Sequence, residues 1–250
     1  MIESLEVALL PNDPKYWLLW SIATAWAIFL LFFFKKSSEE NKIRHLKIMG
    51  GVLIIIQLYV HFVVYFDTDR IYSVHRNLPF HFCSINLWLI IVNCFLRSRK
   101  LFVYSSYMAI MGGLHSFLTP LFTEGDAWPI FINFALVHGS LIIIPFVMMK
   151  HFGMRFYKWD WVRAYVFDVI LSMVMMLINF SLNEYVPNVG VDPANYMYVN
   201  EAPIVDNPFL WRSLGWPGYL IPIHFVFIGH MLVFNVILKA MGYLVPEPKS

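Results

Sequence analysis

Charge is scarce in this chain. Charged residues make up 14% of its 250 positions, against about 25% in an ordinary soluble domain. Hydrophobic residues reach 59% and aromatics 18%, more apolar surface than a water-soluble fold of this length could hide. Cysteine is also scarce: only Cys83 and Cys94 occur. On one helix they stand about 16 Å apart, beyond the roughly 7 Å that a disulfide tolerates. A disulfide framework is excluded, and the redox compartment is left unmarked. No basic run precedes the first apolar stretch and no small-residue cleavage site follows it; Lys35 and Lys36 do. It reads as a retained span rather than a cleaved signal. No two histidines have the HxxxH spacing of a zinc helix. The net charge of +2 gives no reason to expect nucleic acid. There is no internal repeat, no low-complexity tract and no soluble domain.

Long apolar runs are what the chain has instead. Seven are legible, at 16–34, 47–66, 79–96, 101–122, 128–149, 161–183 and 217–238, most near the ~20 residues that cross a bilayer. Lipid-exposed backbone must satisfy its own hydrogen bonds, so these predict helices. The expected fold is all-α, a polytopic bundle of seven transmembrane helices forming one integral membrane domain over residues 1–250.

Basic residues orient it. Lys35, Lys36, Lys42, Arg44, Lys47, Arg97, Arg99, Lys100, Lys150, Arg155, Lys158, Arg163, Lys239 and Lys249 fall on one side; Lys15, Arg70, Arg76 and Arg212 fall on the other. The positive-inside rule puts the larger set in the cytoplasm. The amino terminus is then outside and the carboxyl terminus inside. The outer segment 184–216, rich in Pro, Asn and aromatics, is too long for a simple connector and predicts a cap over the outer mouth.

Depth follows from about 1.5 Å per residue. Cys83 falls about 6 Å below its outer helix end, His61 about 8 Å, His115 and His224 about 10 Å, and His138 about 15 Å. His81 is higher still. Asn86, Asn133 and Asn179 have compatible depths. The inner half holds only His230, near the midplane, and Asp168. His45 and His151 read as solvated residues of cytoplasmic loops, and His75 as an unremarkable outer-loop residue. Imidazole is costly in hydrocarbon, so a cluster at one level marks a polar cavity. Gly112, Gly113 and Gly139 let helices approach closely there. Gly229 reads as ordinary helix packing.

Two chemistries suit this set. In one, Cys83 is a nucleophile, His138 takes its proton, and Asn86 or His115 orients the imidazole. Cys94 has no polar neighbours at helical spacing and reads as packing. In the other, several histidines with Cys83 hold a metal. His81 and Cys83 diverge by about 200° on a helix, and His224 and His230 also face apart, so metal ligands would have to converge from separate helices.

The motifs resemble a known family. Leu78-Pro-Phe-His-Phe-Cys83 is similar to the LPxHxC signature of the bacterial YwaF-like integral membrane proteins. Gly113-Leu-His-Ser-Phe-Leu-Thr-Pro120 is similar to that family's segment ending in Thr-Pro, and Phe134-Ala-Leu-Val-His138-Gly139 to its FxxxHG. Asn195-Tyr-Met-Tyr-Val-Asn-Glu-Ala-Pro203 resembles its NYMxLxxxP, and Leu214-Gly-Trp-Pro-Gly-Tyr219 its GxWPxY. The His115 position is more often glutamine in that family, which fits a polar substrate contact better than a metal ligand. The family is related to a eukaryotic transmembrane acyltransferase that remodels ether phospholipids. The resemblance implies a multi-pass protein of the bacterial cytoplasmic membrane. It implies Cys83 and His138 as nucleophile and base.

The expectation is therefore a membrane-embedded lipid acyltransferase or acyl hydrolase with membrane lipids as partners and no cofactor. Cys83 and His138 are its expected catalytic pair, and His81, Asn86, His115, His224, Asn195 and Tyr196 its expected substrate contacts. The alternative is a non-enzymatic binding or transport protein for a small solute or metal, with a histidine-lined cavity.

Overall fold

A computed structural model describes residues 6–67, 70–188, 190–205 and 207–247; Lys249 lies outside them. Among the described residues the fold consists of seven α-helices: α1 Pro14–Lys35, α2 Glu39–Phe66, α3 Phe82–Leu96, α4 Arg99–Leu118, α5 Trp128–His151, α6 Asp160–Tyr185 and α7 Leu220–Ala240. Four two-residue strands accompany them: β1 Val7–Ala8, β2 Leu121–Phe122, β3 Phe156–Tyr157 and β4 Leu244–Val245. Each helix lies on an expected apolar stretch, and six are long and apolar enough to cross a membrane. The protein is all-α, with the build of a polytopic helical membrane protein.

α3 is the exception. Its 15 residues rise about 22 Å, short of a ~30 Å hydrocarbon core. The expected start at 79 gives way to a turn in which Phe80 N–H donates to Leu78 O at 2.8 Å. His81 then precedes the helix in extended backbone, without a side-chain cap bond. α2, by contrast, begins eight residues before the expected 47. Ser38 caps it by accepting from Asn41 N–H, and Glu39 and Glu40 occupy its first turn, where carboxylates suit the positive helix end. Lys42, Arg44, His45 and Lys47 are therefore helical rather than in a loop, and His151 is likewise the last residue of α5. α4 stops at Leu118 instead of 122, since Pro120 disfavours helical backbone before it, and Leu121–Phe122 become β2.

α4 and α5 form the centre of the bundle. α1 and α2 pack on α5, α3 packs on α2, α4 and α5, and α6 and α7 pack on α4 and on each other. Leu87, Ile90, Cys94, Tyr107, Leu141 and Ile144 are buried in the core between them. The outward faces are apolar: Trp17, Phe32, Ile55, Leu177, Phe225 and Val236 are all exposed. That inversion of the soluble pattern suits lipid as the surrounding solvent.

Ties at the two ends hold the connections together. At one end, β1 pairs antiparallel with β2, Val7 opposite Phe122. Asn77 Nδ2 donates to Glu124 Oε1 at 2.6 Å, Arg76 Nε forms an ion pair with the same oxygen at 2.8 Å, and Arg70 donates to the Glu124 carbonyl. Lys15 pairs with Asp126. At the other end, β3 pairs parallel with β4, Phe156 opposite Leu244. There the buried Asp160 holds Arg99 and Arg163 and accepts the Tyr157 N–H at 2.7 Å. These pairs satisfy charges that would be costly to bury alone.

The segment between α6 and α7 packs back on the helices at the β1–β2 end. Tyr196 is its buried anchor. The Tyr196 hydroxyl donates to Val74 O at 2.8 Å and accepts the Leu78 N–H at 2.9 Å. On α6, Asn179 accepts the Tyr196 N–H at 2.9 Å and donates to Tyr196 O at 3.0 Å. Arg212–Leu214 forms a short helical turn.

Candidate functional site

A cavity of about 540 Å³ opens among α2, α3, α4, α5, α6, α7 and the returning segment. Five histidines and a cysteine line it: His61, His81, Cys83, His115, His138 and His224. These are the side chains that helical depth placed at one level, together with His81.

Glycine makes the centre of the site possible. At Gly112 a Cβ would lie 2.9 Å from the Phe82 ring and 3.3 Å from Cys83 Sγ; at Gly113 it would lie 3.1 Å from the His138 carbonyl. Successive residues of α4 thus seat α3 at Cys83 and α5 at His138. Cys83 is the second residue of α3, where backbone N–H groups have no acceptor within the helix.

The hydrogen bonds define protonation states. Cys83 Sγ lies 3.5 Å from Ser116 Oγ, and that hydroxyl donates to Gly112 O at 2.9 Å. The thiol is therefore the donor to Ser116, and its partner is this serine rather than His138. His138 Nδ1 lies 2.8 Å from Phe134 O; a carbonyl only accepts, so Nδ1 carries the proton and Nε2 of the neutral ring is left basic. The Phe134 ring lies tilted against the imidazole, their centroids 3.9 Å apart. His115 faces His230, their rings 5.0 Å apart, and His230 Nδ1 is held by Val226 O at 2.7 Å. His61 sits 3.4 Å from both Gln57 and Tyr72. His224 has its ring 5.8 Å from that of Tyr165, near the start of α6, so it reaches deeper than the helical rise predicts.

Three expected substrate contacts stand off the cavity wall. Asn86 is buried, its amide spent on its own helix at Phe82 O, 2.9 Å. Asn195 accepts the Asn200 and Glu201 N–H groups and donates to Glu201 O at 2.9 Å, which closes a turn. Tyr196 is the anchor described above. His75 also departs from expectation: it is buried, and its Nε2 donates to Leu182 O at 3.2 Å, which ties the α2–α3 connection to α6. Asn133 does line the cavity, with its amide bonded to Ile56 O at 2.7 Å.

Three cavity residues escaped the sequence reading of the site. Ser116 lies one turn after Gly112, a spacing of four that could have drawn attention to it. Tyr198 lies two residues from the tyrosine that was chosen. Asp168 falls in the inner half by helical depth, apart from the histidines. It is 6% exposed, its Oδ1 has no hydrogen-bond partner, and it shares the wall with Ser172 and His224. Among the described residues, no three His, Cys, Asp or Glu side chains group closely enough to hold a metal.

At the β1–β2 end of the cavity stand Arg76, Asn77 and Glu124. Burial raises the Glu124 carboxyl above its ordinary value of 4.5, outweighing Arg76, Asn77 and Arg70.

Residues 12–238, almost the whole bundle and every residue of the cavity wall, match the TMEM164 family. The chain belongs to that family. Membership in a transmembrane protein family agrees with the six apolar helices. No curated protein and no solved structure matches the chain.

Proposed function

We propose that this TMEM164-family protein crosses the membrane seven times, amino terminus outside and carboxyl terminus inside, and performs lipid acyl chemistry. Cys83 is the nucleophile and His138 the base. The topology draws support from the tied ends. β1–β2 joins the amino-terminal segment to the α4–α5 connection, and β3–β4 joins the α5–α6 connection to the segment after α7. That pattern supports counting α3 as a crossing despite its length. Fourteen basic residues then share the cytoplasmic side.

One observation carries the chemistry: Cys83 and His138, on different helices seated at adjacent glycines of α4, line one cavity inside an apolar bundle. His138 passes its proton to the leaving alcohol after taking it from the thiol. In the first step sulfur bonds to the carbonyl carbon of a phospholipid ester, and the carbonyl electron pair moves to oxygen. When the pair returns, the C–O bond breaks, the alkoxide takes the proton from the imidazolium, and an acyl thioester remains on Cys83. An acceptor hydroxyl or water then attacks the thioester, giving its proton to His138, which returns it to the departing thiolate. The resting thiol donates to Ser116 and turns to His138 when substrate fills the cavity; catalytic hydrogen bonds commonly tighten only in the complex. The N–H groups at the start of α3, which have no acceptor within the helix, stabilise the developing oxyanion.

His81, His115 and His224 contact the lipid's polar part, and lipid enters sideways from the outer leaflet. Asn86, Asn195 and Tyr196 act as scaffold for these contacts. The resemblance to YwaF-like bacterial proteins, and through them to an ether-phospholipid acyltransferase, supports the same pair and a bacterial cytoplasmic membrane.

The rival reading is a histidine-lined binding or transport protein without covalent chemistry. Asp168, a buried carboxylate on the cavity wall with an unbonded oxygen, favours it. The two separate on replacement of the cysteines. A neutral acyl probe is expected to label Cys83, and His138→Ala to abolish labelling with the melting temperature retained. Full activity with serine at both Cys83 and Cys94 would sink the covalent reading.

A further inference from the structure

We propose that the Tyr198 hydroxyl is a catalytic donor to the carbonyl oxygen of the acyl group as Cys83 attacks it. The proposal rests on the Cys83 reading above and adds the group that receives the developing charge.

Backbone strain is the first observation. Met197 has φ 59° and Tyr198 φ 53°, two consecutive side-chain-bearing residues in the left-handed region. Bulky residues rarely adopt it, and such strain persists only where the surroundings over-determine it. Here they do. Asn179 holds Tyr196 from both sides, Trp216 Nε1 donates to Val199 O at 2.9 Å, and the Tyr219 hydroxyl donates to Tyr198 O. None of these bonds uses the Tyr198 hydroxyl.

What the strained turn achieves is a change of direction. Tyr196 points into the scaffold, its hydroxyl between Val74 and Leu78. Tyr198 instead lines the cavity that Cys83 also lines, while the rings of both tyrosines lie against His81, at 5.1 and 5.5 Å.

The electrostatics suit a donor. Burial pushes the Tyr198 hydroxyl well above its ordinary range, and the charges of Glu6 and Cys83 push it the same way. A phenol that keeps its proton at every working pH donates a hydrogen bond to an oxyanion and does not compete as a base. It adds a side-chain donor to the N–H groups at the start of α3, which have no acceptor within the helix.

The test is Tyr198→Phe in the full-length protein, which keeps the ring and removes the donor. Two reagents are compared: a 4-nitrophenyl ester of a fatty acid, which acylates Cys83 through an oxyanion, and iodoacetamide, which alkylates it without one. The variant is expected to acylate about 100-fold more slowly, the usual effect of losing one oxyanion donor. Its alkylation rate and melting temperature are expected to stay at the wild-type values. Acylation of Tyr198→Phe at the wild-type rate overturns this proposal alone. A parallel fall in acylation and alkylation also overturns it, because the residue then only shapes access. Wild-type protein that alkylates at Cys83 and never acylates overturns the covalent reading and this proposal together.

Discussion

Gly112 and Gly229 look alike in sequence, both in apolar helices beside a histidine-bearing turn, and they behave oppositely. A methyl at Gly112 meets the Phe82 ring at 2.9 Å, whereas one at Gly229 meets nothing within 4 Å, so the packing reading of Gly229 does not hold. Overfilling a packed site costs about 1–3 kcal/mol, against a helix-propensity gain of about 1 kcal/mol for Gly→Ala. Gly112→Ala is therefore expected to destabilise by about 1 kcal/mol and to slow Cys83 alkylation, and Gly229→Ala to stabilise by a similar amount. Thermal unfolding in detergent measures both; equal shifts of the same sign contradict the account. The residue scale is also where sequence served least well. Position along a helix follows from counting, and that was enough to group five histidines that line one cavity, though His224 reaches deeper than counting predicts. Rotation about the helix axis does not follow, and it decides that Asn86 turns back to Phe82 O and that Ser116, not His138, meets Cys83.

At the scale of elements, the segment between α6 and α7 hangs on Asn179. Its amide makes three bonds, to Tyr196 N–H, Tyr196 O and Asn200 Oδ1. Asn179→Ala leaves buried backbone groups unpaired and is expected to cost about 2–3 kcal/mol. Protease cleavage confined to residues 190–219 should rise with it; unchanged cleavage contradicts the anchoring role. Glu124 gives a pH-dependent counterpart at the same end. A carboxyl raised on folding contributes stability that is complete below its ordinary 4.5 and is lost as pH climbs through the folded value. The wild type should therefore gain melting temperature over Glu124→Gln as pH is lowered through that range, and a pH-independent difference contradicts this. Helix existence was readable from apolar runs alone. Helix ends were less so: the Ser38 cap extended α2 through a charged stretch that looks like loop, and the Pro79 turn shortened α3. The pairing of His75 with Leu182 joins residues 107 apart in sequence, a contact that no local pattern contains.

At the scale of the whole molecule, an apolar exterior encloses a chamber whose largely apolar wall carries five histidines. The sequence shows the first through its composition and the second through imidazoles on separate helices. It does not show that Asp168 shares the same wall, because bundle packing sets which faces of α6 and α7 meet. A chamber lined at its β1–β2 end by Arg76 and Glu124 predicts one-sided access. A membrane-impermeant thiol reagent added outside intact vesicles should modify Cys83 and leave the core-buried Cys94 untouched; modification from the inside alone contradicts the orientation.

Direct detection of the acyl-enzyme tests the central claim. The full-length protein is incubated with a phospholipid carrying a labelled acyl chain, quenched in acid, digested, and the Cys83 peptide weighed. A hydroxylamine-labile acyl mass on Cys83, absent in Cys83→Ser and in His138→Ala, is the predicted result. Acyl transfer to another lipid by Cys83→Ser at the wild-type rate, with no label ever found on the Cys83 peptide, would contradict it.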